Sequence, residues 1–211
     1  MTEPRERLDW DDELEEPGLR DGDEDGDGAA PAALVDDDDG WPEPDQHAAG
    51  ELEIPDGVAV LEGEPRGGRR AVGVVVSRFN GEITNRMLAR ALEELEDAGV
   101  SRAAVTVMPV PGAFELPLGA MALAKTRRFA CVVALGCVVR GETPHFDYVA
   151  GEAASGLQLA ALETGVPVSF GVLTVETAEQ AEARIDRAAD AVRGALEMAD
   201  LFAQLRNAAN G

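Results

Sequence analysis

One histidine is a candidate for proton transfer because it lies in a segment that combines polar and glycine residues at the end of a predicted strand. His145 belongs to residues 136–148, whose sequence is Gly-Cys-Val-Val-Arg-Gly-Glu-Thr-Pro-His-Phe-Asp-Tyr. A neutral imidazole with a pKa near ambient pH can accept and return a proton. A glycine-containing turn before a helix also offers backbone N–H groups to a phosphate. The alternative is a structural histidine near a helix start, and this residue alone does not decide between the two.

Three further side chains have types that suit binding. Phe79, in the Ser-Arg-Phe-Asn segment 77–80, can stack on a flat heterocycle or merely cover a sheet edge. Glu115 follows a stiff Pro-Val-Pro-Gly turn, where it can bind sugar hydroxyls or complement a helix dipole, an effect of ~0.3–1 kcal/mol. Arg184 can hold a phosphate with two hydrogen bonds or be an ordinary solvated charge. Each alternative stays open at this point.

The elements that must position these residues alternate along the chain. Continuous apolar runs predict buried strands at residues 71–77, 103–108, 130–138 and 168–173, with a candidate edge strand at 57–61. Apolar residues at helical spacing predict helices at 81–98, 113–124 and 145–164, and one or two over 177–205. This order predicts an α/β fold, a three-layer α/β/α sandwich with a doubly wound, mainly parallel sheet of flavodoxin-like order. Ligands of such sheets bind beyond the carboxyl ends of the strands, where the candidate residues fall.

The N-terminal quarter of the chain differs sharply in charge from the rest. Residues 1–50 hold 19 Asp or Glu against 3 Lys or Arg, whereas the remainder holds 22 against 15. The few apolar residues there cannot offset a chain entropy of ~1–2 kcal/mol per residue. We therefore expect a disordered acidic tail over residues 1–56 and one domain over 57–211. Trp10 and Trp41 fall in this tail, either incidentally or as aromatic anchors for a partner.

Several classes of protein are excluded by the sequence. No signal peptide is expected, because the N-terminus is acidic, and no run of ~18 apolar residues predicts a membrane span. The net charge of −23 argues against nucleic acid as a ligand. Cys131 and Cys137 lie in one predicted strand at ~20 Å, too far for a disulfide, which fits a reduced, cytoplasmic setting. Dinucleotide, Walker and zinc motifs are absent, so we expect neither a metal nor a cofactor.

Segments from four loops together resemble the lumazine synthase family, the beta subunit of the riboflavin synthase system. Each segment is weak alone, but their order and spacing make the match specific over residues 57–205. They are residues 77–80, 110–117, 136–148, 170–174 and 179–181.

The resemblance implies an activity and its substrates. The family is a set of transferases that join 5-amino-6-(D-ribitylamino)uracil to 3,4-dihydroxy-2-butanone 4-phosphate. An imine forms, phosphate leaves, the intermediate tautomerises, and ring closure gives 6,7-dimethyl-8-ribityllumazine. A cation and helix N–H donors are what a phosphate leaving group requires, and holding two substrates together supplies much of the rate.

The resemblance also implies twelve site residues. Those that contact the pyrimidine ring and its ribityl chain are Phe79, Ala113, Phe114, Glu115, Cys137, Val138 and Val139. Glu142 and Thr143 offer backbone N–H groups to the phosphate, and His145 accepts the proton. Phe170 and Arg184 come from a neighbouring subunit, with Arg184 on the phosphate.

The chain departs from the family pattern after Arg184. A Gly/Asn/Lys-containing loop of about five residues is missing there, together with its lysine, for which Arg187 is a candidate substitute. Glu142 stands where the family often has a small residue. An alternative function is therefore a shell or scaffold with weakened catalysis, and another is a flavin- or lumazine-binding module. The family implies a pentamer or a 60-subunit shell, with the riboflavin synthase alpha subunit as a candidate partner.

Overall fold

The computed structural model describes residues 52–209 and has a parallel sheet at its centre. The described strands are β1 (Val72–Ser77), β2 (Val105–Val110), β3 (Cys131–Val139) and β4 (Val168–Val175). Their order is β2-β1-β3-β4, and all three neighbouring pairs are parallel. The four predicted strands over residues 71–173 and the doubly wound order are thereby confirmed.

Helices cover both faces of this sheet. α1 (Gly81–Asp97) and α5 (Arg187–Ala209) pack on one face, whereas α2 (Leu116–Lys125) and α3 (His145–Thr164) pack on the other. The short α4 (Ala178–Glu182) follows β4. The predicted three-layer sandwich is confirmed for the described residues.

The central strands explain why both faces need a cover. Every residue of β1 is buried, and so is every residue of β3 except Val139. Alternate side chains enter opposite cores: Val74 and Val133 face α1 and α5, while Val75 and Ala134 face α2 and α3. A strand buried on both faces requires a continuous apolar run, which the sequence provides.

The helix ends follow local chemistry visible in the sequence. Gly99 takes a φ of +85°, and the following Val100 N–H donates to the Leu95 carbonyl at 2.8 Å, a Schellman ending. Gly165, at φ +63°, ends α3 in the same left-handed region. Thr177 and Gln180 form the predicted capping box at the start of α4.

The connection between α4 and α5 is short and comprises residues 183–186. These residues form successive turns with backbone bonds three residues apart: the Arg184 N–H donates to the Ala181 carbonyl and the Arg187 N–H to the Arg184 carbonyl, both at 3.0 Å. This tighter winding ends α4 before α5 begins. The predicted final segment is therefore two helices.

One predicted strand is wrong. Residues 57–61 form no strand, and Val58, Val60 and Leu61 are all exposed. An apolar run becomes a strand only where it finds a sheet edge to pair with. The chain that follows is held on α5 instead, because Gln204 Nε2 donates to the Glu62 carbonyl at 2.7 Å.

Two other expectations from the sequence concern the chain's surroundings. No helix within residues 52–209 has the length and apolar character that a membrane crossing needs. The predicted acidic tail over residues 1–56 lies almost wholly outside the described residues.

Candidate active site

A cleft of about 570 Å³ opens at the carboxyl ends of β1 and β3. The strand order reverses direction between these two strands, which is where doubly wound sheets bind ligands. Nine of the twelve residues predicted for the site line it. They are Phe79, Ala113, Phe114, Glu115, Cys137, Val138, Val139, Thr143 and His145.

The other three predicted residues do not line the cleft of this single chain. Glu142 is exposed in the loop after β3. Phe170 lies on β4 opposite Ala134, well before the strand's carboxyl end, and its side chain is exposed. Arg184 donates from Nη1 to the Gln180 carbonyl at 3.1 Å.

One side of the cleft, which we name the β1–β2 wall, comprises residues 78–80 and 110–115. Backbone hydrogen bonds join its two loops: Arg78 N–H donates to the Val110 carbonyl at 2.8 Å, and Phe79 N–H to the Pro111 carbonyl at 3.1 Å. These bonds fix the loops independently of their side chains. The Phe79 ring therefore stands on a rigid base, with 69% of its surface exposed.

Glu115 completes this wall from a 3₁₀ turn at residues 113–115 that leads into α2. Its Oε2 accepts a hydrogen bond from the Gly112 N–H at 2.9 Å. Within residues 52–209 its Oε1 has no hydrogen-bond partner, so one carboxylate oxygen remains able to accept from a ligand hydroxyl. Pro117 falls in the first turn of α2 as predicted, where its missing N–H costs nothing.

Asn80 bridges the β1–β2 wall and the end of β3. Its Nδ2 donates to the Cys137 carbonyl at 3.0 Å, and its backbone adopts φ +57°, uncommon for a residue other than glycine. Burial raises the pKa of the Cys137 thiol to about 11. The thiol therefore stays protonated at neutral pH, and Cys137 offers the cleft its backbone rather than a nucleophile.

The opposite side, which we name the β3–α3 wall, comprises residues 139–149. His145 is the first residue of α3, exposed at the cleft, with Thr143 two residues before it. Among the described residues no backbone group accepts from the His145 or Phe146 N–H, whereas the Asp147 N–H donates to the Pro144 carbonyl at 3.0 Å. The arrangement places an exposed imidazole beside the N–H groups of a helix start.

Six lining residues were not singled out from the sequence: Asn80, Gly112, Gly141, Phe146, Tyr148 and Val149. All lie in or beside the motif segments, so their place in the chain was the available signal. Tyr148 lies three residues after His145 on the same helix face, with 70% of its surface exposed. Among residues 52–209 no group of three or more His, Cys, Asp or Glu is arranged to hold a metal ion.

Comparison with known proteins agrees with this geometry. The model of the 6,7-dimethyl-8-ribityllumazine synthase family matches residues 69–203. The chain belongs to the 6,7-dimethyl-8-ribityllumazine synthase family. A relative of that name from Syntrophus aciditrophicus (strain SB) is 49% identical over 138 residues, covering 63% of this chain and 90% of the relative. One from Protochlamydia amoebophila (strain UWE25) is 45% identical over 139 residues, covering 64% and 81%.

The family match covers every strand and helix that builds the cleft. It begins just before β1 and ends within α5, and it therefore leaves out the acidic segment. The resemblance inferred from four loops is thereby confirmed over residues 69–203.

Proposed function

We propose that the cleft is the active site of a lumazine synthase, a transferase of riboflavin biosynthesis. It would condense 5-amino-6-(D-ribitylamino)uracil with 3,4-dihydroxy-2-butanone 4-phosphate to 6,7-dimethyl-8-ribityllumazine. The observation that carries the proposal is the convergence of nine predicted site residues on one cleft, in a chain that belongs to this family.

The β1–β2 wall suits the ribitylaminouracil. The exposed Phe79 ring offers a flat apolar face for the pyrimidine, and Oε1 of Glu115 can accept from ribityl hydroxyls. The backbone of residues 137–139 supplies hydrogen-bonding groups for the ring edge. The Cys137 carbonyl already accepts one hydrogen bond, from Asn80 Nδ2, and its second lone pair can accept from a ligand.

The β3–α3 wall suits the phosphate-bearing substrate. Backbone N–H groups at Glu142 and Thr143 and at the start of α3 offer partners for phosphate oxygens. His145 at the same helix start takes up the proton that must move during imine formation and tautomerisation. The carboxylate of Glu142 is exposed and outside the cleft lining, so it need not oppose the anion.

Two proposed site residues require a second copy of the chain. Phe170 and Arg184 lie outside the cleft lining of their own chain, on β4 and just after α4. We propose that they complete a neighbour's cleft in a homo-oligomer, with Arg184 on the phosphate. A pentamer, alone or assembled into a 60-subunit shell, is the family arrangement that this requires. The exposed aromatic rim of the cleft supports an interface there.

We further place the enzyme in the cytoplasm, since Cys131 and Cys137 are both free thiols. Riboflavin synthase, which consumes the lumazine product, is the proposed protein partner. Deleting residues 1–50 is expected to leave fold and assembly intact, and native mass spectrometry of the shortened chain tests this.

The deciding experiment is to mix full-length protein with both substrates and follow lumazine fluorescence. Product formation is expected, with large losses in His145→Ala and Arg184→Ala. Mixed oligomers of these two inactive variants should regain activity, because some clefts then combine an intact His145 with a neighbour's intact Arg184. No product from folded, oligomeric protein would overturn the proposal.

A scaffold or shell with weakened catalysis is the second candidate. It is favoured by the short connection after Arg184. It is also favoured by the hydrogen bond from the Arg184 guanidinium to the Gln180 carbonyl of α4. Arg187, the candidate substitute for the missing lysine, pairs with Asp190 at 3.1 Å. Assembly without turnover would support this function, and tight riboflavin binding without turnover would instead support a flavin-binding module.

A further inference from the structure

Arg140, which no motif argument singled out, connects three elements at the carboxyl edge of the sheet. It directly follows β3, and its N–H donates to the Val175 carbonyl at 2.9 Å. This bond continues the β3–β4 pairing one residue beyond Val139 and Val175. The backbone of Arg140 is thus fixed to the end of the neighbouring strand.

Its side chain then spans from β4 to the start of α3. Nε donates to Glu176 Oε1 at 2.9 Å, and Nη1 donates to Asp147 Oδ1 at 3.1 Å. The guanidinium carbon also lies 4.1 Å from the centre of the Phe146 ring, at cation–π distance. Glu176 is itself held, because its N–H donates to Gln180 in the capping box of α4.

These contacts close the loop that forms the β3–α3 wall. Arg140 stands at the loop's beginning and its partners Phe146 and Asp147 stand at its end, with Gly141, Thr143 and His145 between them. Among the described residues, no other side-chain hydrogen bond involves residues 141–147. Arg140 therefore supplies the side-chain hydrogen bond that holds this loop, beside the main-chain bond from the Asp147 N–H to the Pro144 carbonyl and the packing of Phe146 against the core.

Arg140 also neutralises a charge in an unfavourable place. Asp147 lies in the first turn of α3, next to the N–H groups that the proposed function assigns to phosphate. An uncompensated carboxylate there would repel the dianion. The planar guanidinium of an arginine can donate to both carboxylates while it stacks on the Phe146 ring. The ammonium group of a lysine cannot make these contacts together.

We propose that Arg140 is the positioning residue of the active-site loop, holding His145 in place and keeping Asp147 from repelling the phosphate-bearing substrate. This inference rests on the proposed function, and it assigns Arg140 no contact with a reacting atom. It separates two roles of Arg140. Positioning the loop requires the two-pronged guanidinium, whereas compensating the charge of Asp147 requires only a cation, or the removal of Asp147.

The test compares steady-state kinetics of Arg140→Gln, Arg140→Lys and Arg140→Gln with Asp147→Asn. We expect Arg140→Gln to lower kcat by roughly 10- to 100-fold, because the imidazole is misplaced. It should also raise KM for the butanone phosphate about three- to tenfold through the exposed charge of Asp147. The lysine variant and the double variant should restore that KM but not kcat, and KM for the uracil should change little in all three.

A matched control is Arg102→Gln, which breaks an exposed pair with Glu96 at 2.8 Å outside the cleft lining. It should leave kcat and the KM for the butanone phosphate unchanged. Equal constants for Arg140→Gln and wild type, or equal rises in both KM values, would overturn the proposal.

A second measurement separates this inference from the proposed function. The ring signals of His145 are followed by NMR while inorganic phosphate is titrated into the full-length protein. Weaker phosphate affinity in Arg140→Gln, restored by adding Asp147→Asn, supports the positioning role even if wild type makes no lumazine. Identical affinity in wild type and both variants overturns it.

Discussion

The two walls of the cleft are held in different ways. The β1–β2 wall is joined by main-chain hydrogen bonds, such as Phe79 N–H to the Pro111 carbonyl, and by the Gly112–Glu115 bond. In the loop of the β3–α3 wall, the side-chain hydrogen bonds among the described residues come from Arg140, which ties the two ends of the loop together. Main-chain bonds survive most substitutions, whereas a closure through one side chain does not. We therefore expect the wall proposed to bind the ring to tolerate side-chain changes better than the wall proposed to carry proton transfer, where substitution of Arg140 removes the side-chain bonds of the loop.

The largest effect on activity should come from the β3–α3 wall. His145→Ala removes the proposed proton acceptor, and we expect kcat to fall by about a hundredfold to ten-thousandfold with little change in stability. His47→Ala, at the chain's other histidine, is the matched control and should keep full activity. Lumazine fluorescence measures both. Full activity in the His145→Ala variant would show that the β3–α3 wall does not carry the proton transfer.

Substitutions in the β1–β2 wall should lower the free energy of unfolding. Asn80→Ala loses the bond to Cys137 and places a Cβ-bearing residue without a local hydrogen bond at φ +57°, so we expect a loss of about 2 kcal/mol. Asn80→Gly loses the bond but relaxes the backbone, and should lose about 1 kcal/mol. Urea unfolding at one fixed protein concentration compares them. Equal losses would show that the left-handed backbone stores no strain.

Glu115 separates support of the wall from ligand binding. Glu115→Ala removes the acceptor of the Gly112 N–H and should cost about 1 kcal/mol of unfolding free energy. Glu115→Gln keeps an acceptor and should unfold like wild type, yet raise KM for the ribitylaminouracil roughly fivefold through the lost charge. Thermal unfolding and kinetics together measure both effects. An unchanged KM would confine Glu115 to a structural role.

The smallest effect concerns the thiol beneath the cleft. Burial raises the pKa of Cys137 to about 11 from an ordinary 9.0, so native protein should react slowly with a thiol reagent at pH 8. Because the folded thiol binds its proton more tightly, its contribution to stability is complete below pH 9 and is lost as the pH rises through 11. Labelling rates of Cys131→Ala, which leaves one cysteine, measure this. Fast native labelling would show that the thiol is accessible.

Much of the fold follows from local sequence. The apolar run at residues 71–77 predicted a strand covered on both faces, and Gly99 and Gly165 marked two helix ends through their freedom at positive φ. Residues 57–61 show the limit of such reasoning. Their composition suits a strand, but a strand exists only where another edge accepts its hydrogen bonds, and composition does not supply that edge.

The candidate site divides in the same way. His145, Phe79 and Glu115 could be nominated because each follows a predicted strand, and the carboxyl ends of parallel strands meet at one edge. Arg140 could not be nominated, since its partner Glu176 lies 36 residues away. The same holds for the bond between Asn80 and Cys137, which are 57 residues apart.

The sequence by itself determined the elements, their order, the family and the edge of the sheet at which chemistry occurs, because these depend on periodicity and on motifs within short segments. The tertiary structure alone decided that main-chain bonds join the two loops of the β1–β2 wall and that Arg140 ties the two ends of the β3–α3 loop. Those properties arise from hydrogen bonds between residues far apart in the chain, and their partners are chosen by the packing of the sheet and its helices.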